Sequence, residues 1–203
     1  MKNLIIIGIP RAGKTTLAKS VAQKIGATGY ATSMISADAL IGGLTQIRKR
    51  NFFYATIYRP VKHIIPFMAR SYKISLVRDL HNMVARFLAE QADVSTVIYE
   101  DAYLTPWQAV RIFDKKRFKI VAIGYPNADI HQKMADIRRF DGASPANRKD
   151  DAALQRMITN LVNNSRRLAH DAEKLGIPFI DTSTNYHGEI NKFTDNVLNF
   201  LAD

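Results

Sequence analysis

Eight residues constrain this chain more than any others: Gly8-Ile9-Pro10-Arg11-Ala12-Gly13-Lys14-Thr15, the pattern G-x-x-x-x-G-K-[S/T], set between an apolar run and an amphipathic one. Asn3 to Ile7 is short, rich in isoleucine and bounded by Gly8 and Pro10, so it reads as a parallel strand buried on both faces. Leu17, Val21 and Ile25 fall four apart on one helical face, and Gly26 supplies a stop. A chain that leaves a buried strand, bends at two glycines and enters a helix turns successive amide hydrogens and the helix N-terminus toward one point, where a phosphate fits. Lys14 then reaches the β- and γ-phosphates of a nucleoside triphosphate, and the Thr15 hydroxyl ligates magnesium. ATP and Mg2+ are the expected cofactors, with Gly8, Pro10, Arg11, Ala12, Gly13, Lys14, Thr15 and Thr16 as the binding residues. The competing interpretation is a glycine-rich turn whose lysine is only solvated, and placement between strand and helix argues against it.

The remaining pattern alternates strands with helices. Ala31 to Ser36 is a second strand and Ala39 to Ile47 a helix. Leu76, Leu80, Met83, Val84, Phe87 and Leu88 make an amphipathic stripe, followed by a third strand, Thr96 to Tyr99, ending on Glu100 and Asp101. Pro106 to Lys115 is a helix with proline in its first turn, and Lys119 to Gly124 a fourth strand stopped by Tyr125-Pro126. Asn127 is the expected cap of the next helix, where Ile130, Met134 and Ile137 share a face. A polar loop, Asp141 to Lys149, has the length of a lid. Asp150 and Asp151 open a long helix ending at Gly176, Ile177 to Asp181 is a fifth strand, and Glu189 to Leu201 a last helix. Such alternation implies an α/β sheet covered by helices, with ligands at the carboxyl ends of the strands.

Composition narrows the function classes. At 203 residues the chain suits a single domain with a full hydrophobic core. The absence of cysteine excludes disulfide scaffolds, thiol nucleophiles, iron–sulfur clusters and thiolate zinc sites. No run reaches the roughly 18 apolar residues of a membrane span, so a cytoplasmic protein is expected, with no membrane partner. The net charge of +11 is localised: residues 39–89 carry +8 and residues 133–149 carry +3, while the rest is neutral. That distribution points to an anionic partner.

With these motifs in place, the sequence resembles the P-loop small-molecule kinases, the group of adenylate, shikimate and gluconate kinases and chloramphenicol phosphotransferase. The resemblance runs over most of the chain: the loop Gly8 to Thr15, the aspartate in Ser36-Ala37-Asp38-Ala39-Leu40-Ile41, an acidic end to strand three, and an arginine-bearing lid between strands four and five. It implies a three-layer α/β/α domain over residues 1–203, with a five-stranded parallel sheet in the order 2-3-1-4-5. A helical acceptor-binding region at 48–92 and a lid at 127–150 are implied with it. One departure stands out. Gly124-Tyr125-Pro126-Asn127 occupies the place of the Gly-Phe-Pro-Arg of adenylate kinases, so the phosphate-contacting arginine is replaced by Asn127.

Asp38, at a strand end beside the loop, is placed to take the acceptor's proton or orient magnesium, or to cap the following helix. Glu100 is positioned to hold magnesium through a water, with Asp101 its competitor, since alternation along a strand allows only one to face the metal. Arg138, Arg139 and Arg148 are the lid cations for the transferring phosphoryl, or else solvated helix-face residues. By resemblance, one would stack on adenine and another touch the phosphoryl, and the loop Thr182 to Asn185 would offer its backbone to adenine. Arg48, Arg50 and Arg59, among Phe52, Phe53, Tyr54, Tyr58, Phe67 and Tyr72, form a cationic and aromatic region that binds an anionic acceptor or serves as a helical subdomain core with solvated charges. The five histidines show no metal-ligand spacing, and Tyr186-His187 reads as structural. The function expected is transfer of the γ-phosphoryl of Mg-ATP to a small, anionic or nucleotide-like acceptor. The alternatives are a regulatory ATPase or switch, and a nucleic-acid-directed kinase using the basic 48–86 region.

Overall fold

The computed structural model describes residues 1–50, 66–140 and 145–202, with the backbone alone over 66–73. Five strands, β1 (Asn3–Gly8), β2 (Thr32–Ser36), β3 (Thr96–Asp101), β4 (Phe118–Gly124) and β5 (Phe179–Asp181), form one parallel sheet in the order β2-β3-β1-β4-β5. This is the order the resemblance implies. The helices are α1 (Lys14–Gly26), α2 (Ala37–Lys49), α3 (Pro66–Gln91), α4 (Pro106–Ile112), α5 (Ile130–Phe140), α6 (Asp151–Lys174) and α7 (Tyr186–Ala202). Arg59 and the aromatic residues 52–58 lie outside the described residues, as do residues 141–144 of the expected lid.

Side-chain alternation along β1 builds two cores. Leu4 and Ile6 join Leu17, Val21 and Ile25 of α1, Leu154 and Ile158 of α6, and Val197 and Leu201 of α7. Ile5 and Ile7 face the other way, onto Leu80, Val84 and Leu88 of α3 and Ala109 of α4. All four β1 residues are fully buried, each contributing roughly 1.5–3 kcal/mol of burial free energy. Of the expected stripe on α3, Leu80, Val84 and Leu88 pack on the sheet and Leu76 is buried, whereas Met83 and Phe87 are exposed; Arg48 ties α2 to α3 through Asp79 and, at 3.2 Å, Ser75.

Several boundaries shift for identifiable reasons. α2 begins at Ala37 instead of Ala39, so Asp38 falls inside the first turn and does not cap it. α4 stops at Ile112, three residues before Lys115, because Phe113 turns extended and buries its ring between Tyr99 and Phe118. Asn127 does not cap α5. Its amide side chain donates to Asp181 (3.1 Å), and Asp129 caps instead, accepting from the Gln132 N–H at 2.7 Å. α7 starts at Tyr186, not Glu189, with the Asn185 side chain accepting from the Gly188 N–H (3.0 Å).

Two glycines on neighbouring central strands are fixed by close approach. A Cβ at Gly8 would sit 2.4 Å from the Ile123 carbonyl oxygen of β4, and one at Gly124 would sit 2.3 Å from Ser165 Oγ of α6. Backbone cannot yield as a flexible side chain does, so Gly8→Ala is expected to lower unfolding free energy by about 2 kcal/mol in urea titration. Gly42→Ala, in the exposed interior of α2 with open space around it, is expected to raise it by about 0.5–1 kcal/mol.

Candidate active site

Over the junction of β1 and α1 opens a cavity of about 720 Å³. The loop supplies its floor, through Pro10, Arg11, Gly13, Lys14 and Thr15. Because β2 and β3 lie on one side of β1, Glu100 at the end of β3 and the residues just past these strands, Asp38 and Tyr103, line one end; Leu161 and Asn164 of α6 with Tyr186 of α7 line the other. The loop holds its shape through strained and unstrained backbone alike: Gly13 has φ 101° and Arg11 φ 64°.

Lys14 is almost enclosed, at 9% exposure, and donates to the Ile9 carbonyl at 3.1 Å. Burial pushes its ammonium below the ordinary lysine value, while the carboxylates of Glu100, Asp38 and Asp101 oppose that shift. Thr15 donates its hydroxyl to the Glu100 carboxylate, 2.8 and 2.9 Å from its two oxygens. A hydroxyl, a buried carboxylate and an ammonium thus meet at the N-terminus of α1.

The two acids at the end of β3 part company. Glu100 faces α1, whereas Asp101 points to the opposite side of the sheet and is 1% exposed. Asp101 accepts from the Tyr99 hydroxyl (2.6 Å), from the N–H groups of Tyr103 and Leu104, and contacts His81 Nε2 of α3 at 3.2 Å. Burial and the neighbouring Asp101 push the Tyr99 phenol well up. With its oxygens so committed, Asp101 fixes the turn after β3 and does not line the cavity.

That turn carries Tyr103, which donates to Asp38 Oδ1 at 2.8 Å. Partial burial and then the bond to Asp38 push the Tyr103 phenol up to about 12. Tyr103 escaped the sequence reading, although its position two residues past a central strand places it where ligands gather. Tyr186, read as structural, also lines the cavity: its ring packs against Gly13 and its hydroxyl donates to Thr16 Oγ1 at 3.0 Å.

The arginines are placed differently from the loop residues. Arg138 donates to the Asn147 carbonyl, to the Lys149 carbonyl (2.7 Å) and to Asp151 (2.7 Å), tying α5 to the segment that leads into α6. Arg139 stacks 5.0 Å from the exposed Phe140 ring, and Arg148 is exposed. None of the three lines the cavity, and neither do Arg48 and Arg50. From α5 it is Lys133 that reaches the loop, with Nζ 3.4 Å from the Arg11 carbonyl and 4.4 Å from the centre of the Tyr125 ring.

Compared with solved structures, the chain is similar to a gluconokinase from Sinorhizobium meliloti 1021 (TM-score 0.57, 12% identity, covering 99% of this chain and 94% of that one). It is similar as well to a shikimate kinase from Acinetobacter baumannii solved with shikimate (TM-score 0.53, 17% identity, 100% and 93% covered). The fold is that of the P-loop small-molecule kinases. A third P-loop kinase, the shikimate kinase from Bacteroides thetaiotaomicron, aligns over 100% of this chain and 99% of its own at 17% identity, with a TM-score of 0.50. The sequence matches no family model and no curated protein. Among the described residues of this P-loop kinase fold, no helix is long and apolar enough to cross a membrane.

The division of labour between the acids is measurable. Asp101→Ala strands several buried donors and is expected to cost about 3 kcal/mol of stability. Glu100→Gln keeps an acceptor for Thr15 and is expected to cost about 1 kcal/mol or less, both read by urea unfolding.

Proposed function

We propose that the protein is an ATP- and magnesium-dependent kinase that transfers the γ-phosphoryl group to a small acceptor. The observation that carries this reading is the meeting of Thr15, Glu100 and Lys14 at the N-terminus of α1, on the floor of the cavity. Thr15 and Glu100 supply hard oxygen donors, which suit magnesium, an ion that takes one or two protein groups and fills its octahedron with phosphate and water. Thr15 would bind it directly and Glu100 through a water. Magnesium, when bound, draws charge from the β- and γ-phosphates.

The chain's own groups do the rest by position. Amide hydrogens of the loop and the positive end of α1 face the phosphates, and Lys14 adds a charge withdrawn from water, where it acts more strongly. Asp38, oriented by Tyr103, accepts the proton of the acceptor hydroxyl as its oxygen bonds to the γ-phosphorus and the bond from that phosphorus to the ADP oxygen breaks. The end of the cavity under Leu161, Asn164 and Tyr186 receives the base. Arg139 and Arg148 approach the phosphoryl when the lid closes, and Arg138 keeps the lid's return in place. The +8 carried by residues 39–89 supports an anionic or nucleotide-like acceptor, held by the region that includes Arg48, Arg50 and Arg59.

Calorimetric titration with Mg·ATP is the first test, and a folded protein that takes up no ligand at millimolar concentration overturns the reading. ADP release measured across nucleosides, nucleotides, sugar acids and hydroxylated antibiotics then names the acceptor, because a kinase makes ADP rapidly only with its partner substrate. A switch hydrolyses ATP at one slow rate whatever is added. Lys14→Ala is expected to lower phosphoryl transfer by at least about 100-fold with the unfolding transition preserved.

A further inference from the structure

Four consecutive carbonyls of the phosphate loop are each taken by a donor from outside the loop's own backbone. Lys14 Nζ holds Ile9 (3.1 Å), the Tyr125 hydroxyl holds Pro10 (2.9 Å), Lys133 Nζ meets Arg11 (3.4 Å), and Thr182 Oγ1, whose single proton is shared with the Gly124 carbonyl at 3.0 Å, meets Ala12 (3.2 Å). The carbonyl and N–H of a trans peptide point to opposite sides. Anchoring the Pro10 and Ala12 carbonyls therefore turns the Arg11 and Gly13 N–H groups away from Tyr125 and Thr182. The Arg11 peptide is anchored on both sides, since the Ala12 N–H donates back to the Ile9 carbonyl at 3.2 Å.

Arg11 is also where the loop is most strained. It is the one non-glycine residue with positive φ among the described residues, at 64°, a conformation that costs a side-chain-bearing residue of the order of 1–2 kcal/mol. The group that meets its carbonyl comes from the lid helix α5, and it is well placed to stay there. The Lys133 ammonium sits over the Tyr125 ring, whose hydroxyl holds the preceding carbonyl, and Tyr125 is itself 1% exposed with its N–H donating to Ser165 Oγ at 2.6 Å. Lys133 and Tyr125 thus grip adjacent peptides of one loop from one side.

We propose that Lys133 is a positioning residue: from the lid helix it holds the Arg11 peptide in its left-handed conformation, and so sets the phosphate loop for polyphosphate. The inference rests on the reading of that loop as a phosphate site. Lys133 does not line the cavity, so it acts through the Arg11 backbone and not by touching the ligand.

The test measures affinity for two probes, Mg·ADP and Mg·tripolyphosphate, by calorimetry on the full chain. Wild-type protein that binds neither overturns the phosphate-site reading and this proposal with it. Given wild-type binding, Lys133→Met, which keeps an apolar stem over Tyr125, is expected to weaken both probes about tenfold. Lys133→Arg, which restores a cation and a donor, is expected to return both to within about threefold of wild type. In an Arg11→Gly background, where glycine adopts positive φ without strain, adding Lys133→Met is expected to cost less than about threefold. Unchanged affinity in Lys133→Met overturns the proposal, and so does an equal tenfold loss in both backgrounds, the mark of direct contact with phosphate. Should Lys133→Met fail to fold, Lys133→Leu takes its place under the same criteria.

Discussion

The contact on which the rest of this molecule depends is the seating of Gly8 against the backbone of β4. With no Cβ to hold the strands apart, the end of β1 lies directly beside Ile123 and the chain turns up out of the sheet at its centre. Every feature of the cavity follows from that exit. The loop leaves between the two halves of the sheet, α1 begins where the loop ends, and the carboxyl edges of β2, β3, β4 and β5 all open toward the same gap. Four fully buried aliphatic side chains on β1 fix the strand from both faces, so the loop is mounted on the stiffest part of the fold.

The sheet then sorts chemistry by parity. Residues of β3 alternate between the face of α1 and the face of α3, and the paired acids at its end inherit that alternation. Glu100 joins Thr15 and Lys14, while Asp101 is spent on Tyr99, His81 and the backbone of the next turn. The two roles are connected nonetheless. By holding the Tyr103 N–H, Asp101 sets the tyrosine whose hydroxyl reaches Asp38, so a buried carboxylate outside the cavity steadies one that lines it.

The strand, loop and first helix were legible in the sequence alone. The isoleucine run, the glycines and Lys14-Thr15 specify strand, loop and helix within 26 residues, and strand alternation already required that Glu100 and Asp101 diverge. Which acid faced which way was not legible, because His81 and Tyr99 decide it through packing across the sheet. The arginines of α5 show the same limit: charge and placement mark Arg138 as a cation free for a ligand, but two of its four acceptors are loop carbonyls, which leave no signature in side-chain identity, and the others are Asn147 and Asp151 side chains. Lys133 and Tyr186 were missed for a related reason. They touch the loop from 122 and 170 positions away in sequence, and no periodicity links residues so far apart. Asn127 illustrates a local rule losing to tertiary structure, its side chain drawn from helix capping to Asp181.

The crossing of Gly124 and Ser165 bears on the size of the chamber above. Helix and strand touch there with room for a hydrogen atom and nothing more, and Ser165 lies one turn along α6 from Leu161, part of the wall on that side. The thickness of a single methyl group at this crossing would act as a shim, raising α6 off the sheet and widening the far end of the chamber from beneath. The width of the chamber at that end is thereby set by a pair of small residues that do not line it, and it can change while every lining side chain stays as it is.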